Sequence, residues 1–497
     1  MASDGPHSLQ APAIVWFRDD LRLHDNPALT QAVASGQPLI LLFIQDEASP
    51  GLRRHGGASR WWLHGSLLAL SQSISERGSV LHLVSGKADD ILFSLVQATE
   101  ATAVYWNRRY GEAERTLDAA IKEKLIASGV TVTSFKANLL NEPWEITSKA
   151  GTPMKVFTPY WRNARERGDP APPLPAPERL FPAPWPEAIA PQPVTLDSLD
   201  LLPTKPDWAG DIRDSWKPGE AGAKHNLQNF LASSLHGYGE NRNRPDKRST
   251  SRLSPHLRFG EISPRQIFHA TRHAIATGAA KANDRDVEKF LAEVGWREFS
   301  YHLLYAFPQL ASSNFQSRFD AFPWRDDPKA LQAWQKGQTG YPIVDAGMRE
   351  LWRTGWMHNR VRMVVGSFLV KHLLIDWRLG EHWFWDTLLD ADPANNAASW
   401  QWIAGSGADA APYYRIFAPI LQGEKFDPNG DYVRRYVPEL ANLPNAFLHK
   451  PWEAPHPILD QAGIRLGVDY PHPVIAHSAA RVRALAAFKS LAVKEDA

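Results

Sequence analysis

QTGYPIVDAGMRELWRTGWMHNRVRMVVGSFLVKHLLIDWRLGEHWFWDTLLDADPANNAASWQW, residues Gln338–Trp402, holds seven of the chain's 20 tryptophans: Trp352, Trp356, Trp377, Trp383, Trp385, Trp400 and Trp402. The same stretch carries paired acids, Asp390 and Asp392, and two closely spaced arginines, Arg360 and Arg362, on an otherwise apolar helix. Aromatic residues this dense beside charges that a helix would bury predict a pocket for a large planar cofactor. Asn359 and Met363 are four apart and Arg360 and Met363 three apart, so these three share a helix face, while Arg362 points away from Arg360. One arginine is thus available to a phosphate or ligand at the surface; the other, turned inward, requires an acid partner, Asp390 or Asp392. Two exposed arginines on a surface helix are the plainer alternative. The polar, helix-breaking segment Asp390–Asn396 reads as a loop around the polar edge of a ligand or as a helix start capped by Asn395 or Asn396.

Outward from this stretch the signals are helical from Trp216 onward: Ala221–Ser234, Ser263–Thr277, Asp284–Leu304, Pro342–Trp352, Met357–Arg378, Trp383–Leu388 and Val474–Leu491. The last of these carries an apolar face of Ile475, Ala479, Val482, Leu485 and Phe488, after which the chain stops at Ala497 without a long tail. Before Trp216 the pattern changes. From Asp169 to Pro193 proline recurs too often for a helix or sheet interior and predicts an extended surface linker.

The first part alternates. Apolar runs at Ala13–Phe17, Leu39–Ile44, Val80–Val84, Ala103–Trp106 and Val130–Phe135 have the length of buried strands. Helical patterns separate them: one starts at Asn26-Pro27, one runs from Ser59 to Gly78, and one spans Glu112–Ala127. Strands and helices in alternation predict a parallel sheet with right-handed crossovers, covered on both faces. The expected fold class is therefore α/β plus all-α: an α/β domain over residues 11–140, a linker over 141–215 and an all-helical domain over 216–492. No G-x-G-x-x-G follows the first strand, which argues against Rossmann-style pyrophosphate binding but leaves the crevice at the strand ends open to another ligand.

Composition narrows the function classes. With 43% hydrophobic and 22% charged residues the chain is that of an ordinary globular protein, and its apolar run Met363–Ile375 is broken by Lys371 and His372, so no membrane span is expected. Zero cysteine removes disulfides, thiolate metal sites and thiol nucleophiles, and the 18 histidines show no H-E-x-x-H spacing, so no metal is expected. Residues Met1–Pro12 show no secretory leader, and the cytoplasm is the expected location. The net charge is only +1, so affinity for nucleic acid must come from local clusters such as Asn241–Arg258 (NRNRPDKRSTSRLSPHLR), of which Arg242–Lys247 taken alone reads equally well as a solvated basic face or loop.

Several motifs in order carry a resemblance. Trp356-Met357-His358-Asn359 followed by Arg360-Val361-Arg362-Met363, then Gly405–Asp431, with Val15–Arg22 (VWFRDDLR), Thr250-Ser251-Arg252-Leu253-Ser254 and Trp296-Arg297-Glu298-Phe299, resemble the DNA photolyase and cryptochrome family across nearly the whole chain. The resemblance implies a non-covalent, bent FAD in the helical domain. Tyr238, Thr250, Ser251 and Ser254, in the segment containing Arg252 and Leu253, resemble the residues that hold its phosphates; hydroxyls and backbone amides at a helix start suit that task. Arg362 with Asp390 resembles the ion pair beside the isoalloxazine ring, Asp392 falls near the ribityl chain and ring edge, and Asn396 faces the redox-active ring nitrogen. The plant cryptochrome branch has aspartate at that last position, whereas asparagine suits the reduced anion that repair requires.

Trp400, Trp377 and Trp324 match the family's electron-transfer chain, although on residue type alone core packing is the commoner role for Trp377. Trp296 and Trp402 match the apolar walls against a flipped pyrimidine dimer, with Trp296 also against the cofactor. Glu293 matches the acid that bonds the base edges, with an exposed helix acid as the plain alternative; Asn359 and Met363 lie on the same wall, and Arg242, Arg360 and Arg415 are the phosphate clamps. The Asn359-Arg360 and Met363 pattern is that of enzymes for cyclobutane dimers, class III or class I in type. Where folate-binding members have Asn-Glu this chain has Ala113-Glu114; a folate, 5,10-methenyltetrahydrofolate, is the expected antenna and a deazaflavin the second choice. The implied function is light-dependent repair of cyclobutane pyrimidine dimers by a monomer acting on damaged DNA. A blue-light photoreceptor of cryptochrome type is the alternative, and a flavin-bearing DNA-binding module without repair is the third reading.

Overall fold

Five apolar runs form the strands β1 (Ala13–Phe17), β2 (Leu39–Gln45), β3 (Leu81–Ser85), β4 (Ala103–Asn107) and β5 (Thr131–Phe135) in a computed structural model that describes residues 10–187, 189–410 and 414–493. Residues 1–9, part of the Met1–Pro12 leader reading, and 411–413, inside the Gly405–Asp431 motif, lie outside the described residues. All the strand pairs are parallel, in the order β3-β2-β1-β4-β5, and Val15 stands between Leu41 and Tyr105. The two-residue period of a strand sends Ala13, Val15 and Phe17 to one core and Ile14 and Trp16 to the other. Helices α1 (Pro27–Ala34) and α2 (Gly57–Ser75) cover the first face; α3 (Ala88–Thr99) and α4 (Glu112–Ala127) cover the second. Asn26 caps α1 by accepting from the Leu29 N–H. α3 adds a crossover helix to the three expected; it is closed by Glu100 at φ 53°, where the other three are followed by left-handed glycines, Gly36, Gly78 and Gly129, so the glycine that marks their ends is missing.

The crevice where the strand order reverses, between β1 and β4, is filled from within. Arg18 lies over the Trp16 ring at 4.1 Å, bonds Asp118 at 3.1 Å and donates to the Asn107 carbonyl. The expected linker also contains structure. Helix α5 (Phe157–Glu166) packs Phe157, Tyr160 and Ala164 against Phe299 and Leu303. The proline-rich part is extended and pairs with the sheet at Leu39, which donates to Phe181 and accepts from Ala183, and a short helix, Gly210–Ser215, closes the linker.

The helical half corrects two boundaries. The single helix expected over Met357–Arg378 is instead Asn359–Ser367, a π-helical turn Phe368–His372, and a new helix Trp377–Thr387 that absorbs the separate one expected at Trp383. Leu374 at φ 55° ends the first run, and Asp376 caps the next by accepting from the Arg378 N–H. The final helix, His477–Val493, buries Ala480, Ala484, Ala487 and Leu491, whereas Val482 of the expected face is 67% exposed. Small residues let this helix lie close to its neighbours, which a search for large apolar residues overlooks. Among the described residues no helix is long and apolar enough to cross a membrane, and no group of three or more His, Asp or Glu is placed to hold a metal ion.

Two buried carboxylates tie the halves together. Glu261 accepts from Trp62 Nε1 at 3.1 Å and from Ser66 on α2, from the Gly219 N–H at 2.7 Å, and pairs with His256. Glu298, on the helix Asp284–Ala306, accepts through one oxygen from the N–H groups of Leu140 (2.8 Å) and Asn141 (3.2 Å), while its other oxygen lacks a hydrogen bond and lies 3.8 Å from Arg297. Burial pushes the Glu298 carboxyl up to about 7, against the pull of Arg297 and the two backbone donors. A raised acid holds its proton more tightly folded than unfolded, so its contribution is present below the unfolded value and is lost as pH rises through about 7. The thermal midpoint should therefore fall between about pH 5 and about pH 8 by more in the native protein than in Glu298→Gln. Parallel curves for the two proteins would contradict the assignment.

Candidate functional site

Three helices of the helical half bring one face each to a cavity of about 500 Å³, within the usual range for a cofactor site. Asp284–Ala306 offers Glu293, Trp296, Arg297 and Ser300, and Pro393–Ala404 offers Asn396, Ser399, Trp400 and Ile403. Both sets have the three-four-seven spacing of a single helical face. Asn359–Ser367 adds Asn359, Arg360, Arg362 and Met363, and the loop before Pro393 adds Asp390 and Asp392. The expected grouping of Arg362, Asp390, Asp392 and Asn396 with Glu293, Trp296, Asn359, Arg360, Met363, Trp400 and Trp402 is thus present in one space, together with Arg242 and Ser254.

The polar floor is built around Asp390. Arg362 donates to Asp390 Oδ2 at 2.8 Å and is itself fixed by donating through Nε to the Met357 carbonyl at 2.8 Å. Of the two candidate acids the partner is therefore Asp390, and its Oδ1 is buried without a hydrogen bond. Asp392 is the helix cap, in place of Asn395 or Asn396: its Oδ1 accepts from the N–H groups of Ala394 (2.9 Å) and Asn395 (2.8 Å), and its Oδ2 from the Tyr301 hydroxyl (2.7 Å). Asn396 donates from Nδ2 to Glu381 Oε1 at 2.8 Å, and Glu381 is clamped by Arg53. His358 caps its helix as a neutral ring, accepting from the Arg360 N–H at 3.2 Å; burial, then the charges of Arg360 and Arg362, press its pKa down to about 3.

At the mouth, Trp296 is 36% exposed and stacks on Phe157 with ring centroids 3.7 Å apart. Trp402 donates from Nε1 to the Asp409 carbonyl at 3.1 Å. Arg242 and Glu293, expected to act separately on phosphate and base, form an ion pair with each other. Arg360 is bonded to Asn243 at 2.7 Å and lies over the Phe426 ring at 4.6 Å. Arg415 lies outside the cavity lining, and its carbonyl receives Lys371 Nζ. Burial, then the Arg415 charge, lowers the Lys371 pKa to about 7.

Trp400 forms part of the cavity wall and touches Phe384 (5.0 Å) and Trp334 (6.2 Å) edge-on; a Cβ on Gly380 would stand 2.2 Å from its ring, so only glycine fits there. Trp377 is fully buried in the same core cluster, donating to Asn314 Oδ1 at 3.0 Å, and Trp324 packs half-buried at the cluster's edge. The phosphate-binding set is the least gathered. Ser254 reaches the cavity, but Tyr238 packs among Phe230 and Phe290, and Thr250, Ser251, Arg252 and Leu253 do not line it. Arg252, at φ 51°, instead places its guanidinium over Trp216 at 4.1 Å.

Sequence reasoning missed Arg258, which lines the cavity, donates to the Ala391 carbonyl at 2.8 Å and pairs with Asp19 at 2.8 Å. It also missed Arg297 as a lining residue, although the Trp296–Phe299 motif contains it. The sequence marked Arg258 only as one more member of a basic run. A half-satisfied carboxylate beside a guanidinium, an asparagine and an indole wall suits a flat, uracil-like ring that carries donors and acceptors side by side.

Comparison with known proteins bears on this chemistry. Residues 13–178 match the family described as DNA photolyase, and residues 290–490 match the FAD binding domain of DNA photolyase. A deoxyribodipyrimidine photo-lyase of Agrobacterium fabrum is 53% identical over 97% of this chain and 98% of its own length. Cryptochrome-1 of Arabidopsis thaliana is 40% identical over 95% of this chain and 69% of its own length. The crystal structure of a bacterial class III photolyase from Agrobacterium tumefaciens superposes with a TM-score of 0.93 at 52% identity, covering 98% of this chain and 99% of that one. One prediction follows from the floor alone. Arg362→Ala leaves Asp390 buried and unpaired, and should lower the unfolding free energy by about 3 kcal/mol in a denaturant titration, with Arg362→Lys intermediate; a loss below about 1 kcal/mol would show the pair to be dispensable.

Proposed function

Because the chain belongs to the DNA photolyase and cryptochrome family, we propose that it is a light-dependent lyase that repairs cyclobutane pyrimidine dimers in DNA. The observation that carries this is that one cavity contains both the polar floor of Arg362, Asp390, Asp392 and Asn396 and the mouth walled by Trp296, Met363 and Trp402. When bound there, reduced FAD would supply the light-driven electron transfer to the dimer and its return. Arg362 and Asp390 would hold its ring end, where Asp390 Oδ1 is an acceptor without a protein donor. Ser254, next to the Thr250–Leu253 segment, stands on the phosphate side. Trp296, Met363 and Trp402 receive the flipped dinucleotide, whose broken stacking makes it cheaper to extrude than intact bases.

Arg242, Arg360 and Arg415 neutralise backbone phosphates, so binding weakens with salt. For Glu293 to reach a base edge, Arg242 must exchange its carboxylate for a phosphate, a swap between two charge-assisted partners of similar strength. Trp400, Trp377 and Trp324 are read as a relay from the cavity wall through the core to a half-buried rim, an order that their burial supports. A folate antenna, with a deazaflavin second, completes this reading; either one seated at the switch-point crevice has to displace Arg18 from Asp118. We take the protein to act as a monomer in the cytoplasm. The photoreceptor reading has the 40% identity to a plant cryptochrome in its favour, and Asn396 against it.

Reduced holoprotein mixed with dimer-containing DNA should remove dimers under blue light and none in the dark, read by chromatography of the digested DNA. Equal dimer content in both arms would defeat the repair reading. Trp400→Phe should slow flavin photoreduction at least tenfold while repair by pre-reduced protein stays near the native rate. Equal loss of both activities would contradict the relay.

A further inference from the structure

Two walls of the mouth come from different parts of the chain, and one residue is bonded toward both. Trp402 lies in the last turn of the helix Pro393–Ala404, and the chain then turns back so that the Asp409 carbonyl accepts from Trp402 Nε1 at 3.1 Å. The turn is tight: a Cβ on Gly407 would lie 2.8 Å from the backbone nitrogen of Trp402, and Asp409 itself adopts the left-handed region at φ 56°. Aspartate and asparagine enter that region more readily than other residues with a side chain. The Asp409 carboxylate points to the other wall. Its Oδ2 accepts from the backbone N–H of Phe157 at 3.4 Å, at the start of α5, where Val156 supplies no side-chain cap. An acid at this end of a helix satisfies an orphan donor and meets the positive end of the helix dipole. Phe157 in turn stacks on Trp296, with planes 10° apart, and on Trp161 behind it, and Trp161 has room only because residue 295 is glycine.

From the repair reading above and these contacts, we propose that Asp409 is a positioning residue: it ties Trp402 to the Trp296–Phe157–Trp161 stack and thereby sets the width of the gap that a flipped dimer enters. It touches neither the cavity nor a substrate. Its effect passes through the two indoles, so it should govern discrimination between damaged and intact DNA rather than general affinity, which resides in the arginines.

The test is binding in the dark of the holoprotein to an oligonucleotide with one thymine dimer and to its undamaged twin. Asp409→Gly keeps the φ and the carbonyl that holds Trp402 but removes the link to Phe157. It should weaken dimer binding roughly tenfold and leave undamaged DNA unaffected. Asp409→Asn, which keeps an acceptor oxygen and tolerates the backbone conformation, should stay within about twofold of the native protein. Phe157→Leu cuts the same strut at its other end and should lower discrimination as Asp409→Gly does. Native discrimination in Asp409→Gly overturns the proposal, and if that variant does not fold, native discrimination in Phe157→Leu overturns it instead. Failure of the native protein to prefer dimer DNA would sink the repair reading, and the strut would then be judged from crystal structures. An unchanged Trp296–Trp402 separation in Asp409→Gly would overturn it, and a widened one would uphold it.

Discussion

A carboxylate with almost no access to water must be given donors, and Glu261 takes them from both halves of the chain at once. Trp62 and Ser66 come from the α/β side; Gly219 and His256 come from the helical side. The docking that is seen brings both sets of partners to the one carboxylate. Docking fixes the short helix Ser254–Arg258, and from its end Arg258 reaches Asp19 just beyond β1 and the Ala391 carbonyl between the two floor acids. The α/β half thus supports the cavity floor through guanidinium links, Arg258 to Asp19 on one side and Arg53 to the Glu381 that holds Asn396 on the other, although no strand enters the cavity.

Much of the fold could be read from periodicity because its elements announce themselves locally. The five strands are short apolar runs between turns, and both cores follow from two-residue alternation. The misses share a cause. α3 ends on a left-handed glutamate, Glu100, in place of a glycine, the break near Leu374 comes from one left-handed residue inside an apolar run, and the last helix packs through alanines. In each case tertiary packing settled what composition left open.

The site was legible where the chemistry lies on one helix face. Arg362 and Asp390 found each other as buried opposite charges must, and the two helices with three-four-seven spacing delivered the lining together. What the sequence cannot carry is the choice among partners. Arg242 and Glu293 pair with each other, Asp392 rather than either asparagine caps its helix, and Thr250–Leu253 sit beside the cavity rather than in its wall. Arg258 went unnoticed because its value depends on Asp19, more than 200 residues earlier, and on the Ala391 carbonyl.

The unbonded oxygen of Asp390 has a consequence for how the protein is made. The Asp390 oxygen has no protein donor and lines the cavity, so a chain that folds around its cofactor gains the free energy of filling that site, and the empty and loaded forms differ in stability by that amount. At a hundredfold excess of cofactor over its dissociation constant the difference is about 2.7 kcal/mol. Proteolysis acts on the transiently opened form, so freshly synthesised chains that load late are the ones a cell clears first. Cofactor supply would then set the abundance of the protein as well as its activity.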